Sequence, residues 1–423
     1  MANNREGIGM LSPYRVLDLT DEKGFLCGKL LGDLGADVIR IEKPGGDPAR
    51  KTGPFYEDDP APEKSLFWFA FNTSMRGVTL DIEKPEGKKL FKRLVETADV
   101  IIESFPPGHM DKLGLGYSDL EQVNPRIVMV SITAFGQTGP YRNYKTCDIV
   151  AWAMGGYLYV YGDVDRPPIR ISHHSHAYLH TAGEAATGAL MALYHREVTG
   201  EGQHVDVSVH ESSARLDMTH KWDMTRVFLR RGEWLGPVTF RACYIWPCKD
   251  GYVMWQFWVG PAAALWTMPF IKWMQEEGVT DDFIKGIKWV EIDTGIEEGA
   301  RLATEVLSRI EGLVMKFFSK HTKKELDAEA KKRGVMLYPV ADVKDVVESG
   351  QLASRDFWRK VEHPELGTSI VYPGPFTRCS EADLAPRVFC RAPLIGEHNE
   401  EIYIRELGIS RETLSELKQA GIV

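Results

Sequence analysis

The chain has 423 residues and a mass of 47.7 kDa, a length that suggests two or three domains. Hydrophobic residues make up 43% and charged residues 26%, enough for a sizeable core, which excludes a disordered, collagen-like or disulfide-scaffold protein. Net charge is −9, from 60 acidic and 51 basic residues, and no basic stripe of the kind that binds nucleic acid interrupts it.

The first 135 or so residues alternate strand and helix. Residues 14–20 (YRVLDLT) read as a buried strand, followed by a helix near Phe25–Leu34 and a second strand over 37–43 (DVIRIEK). A third strand is expected at Gly77–Ile82. Pro85 and Glu86 then open a helix, since proline suits the first turn and an acid suits the positive end of the dipole. Leu90, Phe91, Leu94 and Val95 give that helix one apolar face. Strands follow at Asp99–Phe105 and Arg126–Phe135. Repeated β-α-β with apolar strands predicts an α/β fold, a mostly parallel sheet with helices on both faces. The first turn has no GxGxxG, so the dinucleotide fingerprint is absent.

From about residue 150 the texture changes. Thr181–Tyr194 (TAGEAATGALMALY) is a helix of small residues suited to a crowded core or subunit interface, and HVDVSV resumes as a strand. Eight of the eleven tryptophans lie between Trp222 and Trp289. This block, with the charged helical stretch Glu297–Lys332, reads as a smaller domain spanning 222–334, flanked by 1–221 and 335–423. Extended segments return after Gly334, and a helix is expected near Arg411–Gln419.

Several side chains invite a chemical reading. His173, His174, His176 and His180 cluster, but a turn over 172–176 would splay them, so a loop entering a helix is favoured over a metal site and no metal is expected. Six cysteines (27, 147, 243, 248, 379 and 390) fit no zinc spacing and read as reduced thiols. No apolar run nears the ~18 residues of a bilayer span, and residues 1–12 have no apolar signal core, so the expected compartment is the cytoplasm, with no membrane partner. Glu184, alone in an apolar helix, is either a site carboxylate or a partner for an interface arginine. Asp148 precedes an apolar run and is expected to cap the helix that follows it. The glycines at 44–47 and 155–156 read as tight turns rather than a phosphate cradle. Lys43, Arg50 and Arg76 are expected near the carboxyl ends of the first strands, either holding an anionic ligand or standing as solvated charge. These residues alone give a two-domain α/β protein that binds a small anion.

Read together, LGDLGADVIRIEKPGGDPAR, FNTSMRGVTLDIEKPEGKKL, DVIIESFPPGHMDKLGLGYSDLEQVNPRIVMVSITAFGQTGPY, ALMALYHREVTGEGQHVDVSV, HPELG and RAPLIGEHNEEI resemble the class III coenzyme A transferase (CaiB/BaiF) family, in the family's order and over nearly the whole chain. The resemblance implies a large Rossmann-like domain built from both chain ends, a smaller α+β domain from the middle, and two subunits linked like interlocked rings. It also implies a chemistry. An aspartate attacks an acyl-CoA thioester to give a mixed anhydride; the CoA thiolate returns to form an enzyme thioester, and an acceptor acid takes CoA through a second anhydride. Lys23, Lys43, Asn72, Arg76 and Phe135 are the positions the resemblance puts at coenzyme A, which enters as substrate.

The chain departs from the pattern at the aspartate. Counting back from Gly188, its position falls on Tyr178, and no Asp occurs between Arg166 and Val205. The family's Gln-Ala-Gly-Pro stretch is Lys23-Gly24-Phe25-Leu26, its Asn-Phe-Arg-Pro-Gly is 104–108 (SFPPG), and the lysine before Arg76 is Met75. Related racemases need a His and an Asp where this chain has Cys147 and Tyr178, which sets racemisation aside. The departures resemble the subunit without nucleophile of a heteromeric enzyme that moves CoA from succinyl-CoA to an acid such as (R)-benzylsuccinate in anaerobic toluene breakdown. A paralogous catalytic subunit is the expected partner. The alternatives are a self-sufficient homodimer using Glu184 or another carboxylate, and a non-enzymatic acyl-CoA-binding protein.

Overall fold

The computed structural model describes residues 9–12, 14–161, 166–170, 172, 174–216, 245–293, 296–378, 380 and 389–423. The expected boundary at 222, with Trp222 and Trp234, lies outside the described residues, as do His173, Cys243 and Cys379. Contacts divide the chain into two compact units. The first runs to Leu158, includes Arg170 and the 174–216 stretch, and resumes from Ala353 to Val423. The second holds the described parts of Tyr159–Ile169 and of 245–352.

In the first unit β1 (Arg15–Leu19), β2 (Asp37–Glu42), β3 (Met75–Thr79), β4 (Val100–Glu103), β5 (Val128–Thr133) and β6 (His204–Ser208) form one sheet in the order β3-β2-β1-β4-β5-β6. Every pairing is parallel. Successive side chains alternate between two buried faces. Val16, Val38, Val100 and Val128 enter one core; Leu17, Ile39, Ile101 and Met129 enter the other. Strands buried on both faces are mainly apolar, their buried charges such as Asp18 and Arg40 being paired, which is why they were legible as apolar runs. β3 begins at Met75 rather than Gly77, because Met75 pairs with Val38 and is buried in the first of these cores.

The helices are α1 (Phe25–Asp33), α2 (Leu66–Phe71), α3 (Pro85–Val95), α4 (His109–Leu113), α5 (Tyr117–Leu120), α6 (Asp148–Met154), α7 (Tyr157–Val160), α8 (His176–Thr199) and α9 (Val209–Arg215). α3 starts on Pro85 and Glu86, carries Lys92 and Arg93 in its last turn, and buries Leu90, Phe91, Leu94 and Val95. Its core is completed by Ile402, Tyr403, Leu414, Ile422 and Val423. α8 is longer than its small-residue stretch predicts. Ala182, Ala185, Ala186, Ala189 and Ala192 are buried on one side, and their lack of bulk lets the helix lie against α1 and β5. Gly28 serves the same closeness in α1, since a Cβ there would sit 2.2 Å from a carboxylate oxygen of Asp18 on β1.

The second unit has an antiparallel sheet of β7 (Ile245–Cys248), β8 (Gly251–Trp255) and β9 (Leu337–Pro339). The helices Met268–Glu276, Glu297–Phe318 and Lys323–Arg333 accompany it. Trp246, Trp255 and Trp273 are almost fully buried, among Phe270, Phe317 and Phe318. These tryptophans fill a core. The first unit resumes at Ala353 rather than at the expected 335, because Leu337–Pro339 pairs as an edge strand on β8. β10 (Trp358–His363) and β11 (Thr368–Pro373) then form a hairpin.

Candidate functional site

Ligands of open parallel sheets bind outside the carboxyl ends of the strands, where the strand order reverses. Here the reversal lies between β1 and β4, and a cleft of about 990 Å³ opens at that edge. Its walls are the residues that follow β1, β2, β3, β4 and β5, with the 142–146 loop.

Five cations line it: Lys23, Lys43, Lys112, Arg142 and Lys145. Lys23 pairs with Asp21, and Lys43 with Glu83 at 2.9 Å. Lys112, Arg142 and Lys145 have no ion-pair partner among the described residues, so their charge is available to an anion in the cleft. Arg142 and Lys145 lie in a Gly- and Pro-containing loop after β5, and Lys112 in the short α4. No periodicity marks such positions. The one sequence signal they carry is a basic residue shortly after a strand's carboxyl end.

The floor is built from buried ion pairs. Arg50 donates from Nε and Nη2 to both oxygens of Glu42, at 2.7 Å each, and also reaches Glu63 and the Pro393 carbonyl. Arg40 pairs with Asp18 and Asp47 at 2.8 Å. Arg50 therefore supports the cleft without lining it, which corrects its reading as a ligand cation. Arg76 is corrected too. Arg76 lies at the amino end of β3, paired with Asp37, Glu401 and Glu406 on the edge of the sheet away from the cleft.

Of the five expected coenzyme positions, Lys23 and Lys43 come together in the cleft and Asn72, Arg76 and Phe135 do not line it. Asn72 is buried at the end of α2, donating to the Trp68 carbonyl at 3.2 Å. Phe135 packs edge-on against Tyr141 and Tyr144, and of these Tyr144 lines the cleft.

Tyr178 sits in the first turn of α8, 4% exposed. Burial pushes its phenol well above the ordinary value, and the charges of Glu22, Asp21 and Asp148 push the same way. Asp21 lines the main cleft; Glu22 borders a small cavity with Phe25, Phe67, Phe71, Ser175 and Leu179. Tyr178 thus stands between carboxylates from the β1–α1 loop and from α6. A neutral phenol is the form this setting favours.

Asp148 does not cap the helix it opens. It is the first residue of α6, whose N-cap is Cys147, and its Oδ1 accepts the Ala177 N–H at 2.8 Å. It therefore holds the amino end of α8, where Ser175 supplies no side-chain cap. Burial raises its pKa, against that hydrogen bond and Arg170 at 3.6 Å. Glu184 accepts from Ser212 and lies 3.7 Å from Arg215, so it ties α8 to α9. The loop enters α8 at His176, with His180 one turn further on, and among the described residues no group of His, Cys, Asp and Glu gathers to hold a metal.

Residues 11–399 match CoA-transferase family III. The chain is similar, at 34% identity over 97% of its length and 98% of the relative, to succinyl-CoA:(R)-benzylsuccinate CoA-transferase subunit BbsE of Thauera aromatica. It is 30% identical to succinyl-CoA–D-citramalate CoA-transferase of Chloroflexus aurantiacus, over 98% of both chains. The crystal structure of a CAIB/BAIF family protein from Brucella suis matches with a TM-score of 0.79 at 28% identity, over 94% of this chain and 99% of that one. The parallel sheet, the basic cleft at its carboxyl edge and a match that spans both units converge: the chain belongs to CoA-transferase family III.

Proposed function

We propose that this chain is the subunit without nucleophile of a heteromeric, cytoplasmic CoA transferase that moves CoA from succinyl-CoA to an acid such as (R)-benzylsuccinate. The observation that carries the reading is the buried Tyr178 at the start of α8, where the family resemblance expects an aspartate. Acyl transfer to a phenol gives an ester, not the acyl anhydride, and burial keeps this phenol neutral. Glu184, the nearest carboxylate along the helix, is engaged with Ser212 and Arg215. A paralogous subunit then supplies the aspartate. On α8, opposite the buried alanines, Met191, Tyr194 and Val198 are 68%, 75% and 74% exposed, an apolar stripe available to such a partner.

In this reading the cleft holds a CoA thioester, with Lys112, Arg142 and Lys145 on its phosphates. Replacing the three by glutamine is expected to weaken CoA binding by about tenfold per cation, since a charged hydrogen bond contributes about 1.5–3 kcal/mol. The salt dependence of binding should flatten in the same variant. Calorimetric titration with CoA at two ionic strengths checks both.

The deciding experiment is CoA transfer from succinyl-CoA to (R)-benzylsuccinate, by the chain alone and co-expressed with a paralogue that keeps the aspartate. Activity only in the pair is the expected result. Turnover by the chain alone overturns the reading and gives the nucleophile's role to Glu184 or another carboxylate. CoA binding without turnover in any pairing would leave a non-enzymatic acyl-CoA-binding protein.

A further inference from the structure

Glu103 ends β4, beside the point where the strand order reverses. It is 3% exposed and has no ion-pair partner among the described residues. Its Oε2 accepts the Phe105 N–H at 2.7 Å, and Ser131 stands opposite it in register on β5. The Ser131 Oγ lies 2.8 Å from Nε2 of His204 on β6. His204 reaches the surface, with its ring stacked on Tyr117 at 5.8 Å. A carboxyl, a hydroxyl and an imidazole thus stand on three neighbouring strands, from just beneath the cleft residues Ser104 and Phe105 to the surface.

The wall above depends on this carboxyl. Phe105, Pro106 and Pro107 line the cleft, and Ser104 accepts the Asp21 N–H at 2.7 Å while donating to the Asp21 carboxylate at 2.8 Å. The charges facing Glu103 are Lys23 and Asp21 from the loop after β1; those facing His204 are Asp206 and Asp111.

We propose that Glu103 is a proton-accepting site coupled to the cleft, so that a polyanionic CoA thioester entering outside β4 drives a proton onto Glu103 through Ser131 and His204. The proposal rests on the reading that the cleft takes CoA. The transfer balances. With Glu103 ionised, Ser131 donates to it and His204 donates from Nε2 to Ser131. A solvent proton then binds Nδ1 of His204, the Nε2 proton passes to Ser131, and the Ser131 proton passes to Glu103. The product is a neutral carboxylic acid and the other neutral tautomer of His204. Burial, opposed by the bonds from Ser131 and Phe105, raises Glu103 to about 7, so the step is available near neutrality. Anionic phosphates in the cleft repel the carboxylate and raise it further, and by reciprocity protonation of Glu103 strengthens CoA binding.

The test is calorimetric titration of the purified full chain with CoA at pH 7, in two buffers of different ionisation enthalpy. Wild type is expected to take up a proton fraction approaching about half per CoA bound, since a group near its midpoint is half ionised. Glu103→Gln keeps an acceptor for Phe105 and a donor for Ser131, and should lose that uptake. Ser131→Ala removes the donor that favours the ionised form and should move the uptake to higher pH. Equal proton uptake in wild type and Glu103→Gln overturns the proposal. Absence of CoA binding in wild type would instead sink the assignment of the cleft. Infrared titration then still decides on Glu103: a carboxylic-acid band that appears near pH 7 and is missing from Glu103→Gln keeps the proton site, and no such band ends it.

Discussion

Replacing Arg50 by methionine is expected to lower stability by about 3–5 kcal/mol, because breaking a buried ion pair leaves its partner charged and unmatched. Glu42 would lose both bonds from the guanidinium and keep only the Asp47 N–H, at 2.7 Å. The Pro393 carbonyl would lose a donor as well, and Trp68 the cation 4.0 Å from its ring centroid. Thermal unfolding should shift by about 10 °C for a unit of this size. Adding Glu42→Gln to the same background is expected to recover part of the loss, since the stranded charge is then gone. A loss below about 1 kcal/mol for Arg50→Met would show that water reaches Glu42, and that the pair does not hold the floor of the cleft.

Tyr178→Asp is expected to destabilise the chain by about 3 kcal/mol at pH 8 relative to Tyr178→Asn, which serves as the uncharged control. The helix start favours a carboxylate there by up to about 1 kcal/mol. Burial, with Asp21, Glu22 and Asp148 around the site, opposes it and prevails. A rise of about two pKa units corresponds to ~3 kcal/mol. The introduced carboxyl then has a native pKa above its unfolded one, so the native state binds more protons and stability falls as pH rises. The penalty should be absent below about pH 4, grow between about pH 4 and 6, and stay constant above. Thermal unfolding of the two variants across that range measures it. Identical, pH-independent curves would mean that the site accepts a carboxylate after all.

How much of this was readable beforehand depended on the range of the interaction. Strands buried on both faces show as apolar runs, and α3 announces itself through Pro85, Glu86 and one apolar face; both are local patterns. Lys43 was readable as a cleft residue because it directly follows a strand. Arg76 was misplaced although it stands at the amino end of β3 with either start, Gly77 or Met75, and so belongs to the edge opposite the cleft. Arg50 was readable as a charge but not as a buried one, since its partners include Pro393, far along the chain. Asp148 carries the mark of a cap, yet which helix it caps is a matter of tertiary packing. Lys112, Arg142 and Lys145 sit in a short helix and a loop, where spacing says nothing about direction.

The core beneath α3 has a temporal consequence. Leu17, Ile39, Val78 and Ile101 belong to strands made early, but the Ile402, Tyr403, Leu414 and Ile422 side chains that close over them are made last. During synthesis the part of this face that Ile402, Tyr403, Leu414 and Ile422 cover therefore stays open beside α3 until the second unit has been made. In a chain of this architecture the order of translation leaves that part of the core to be sealed only by residues made after the second unit.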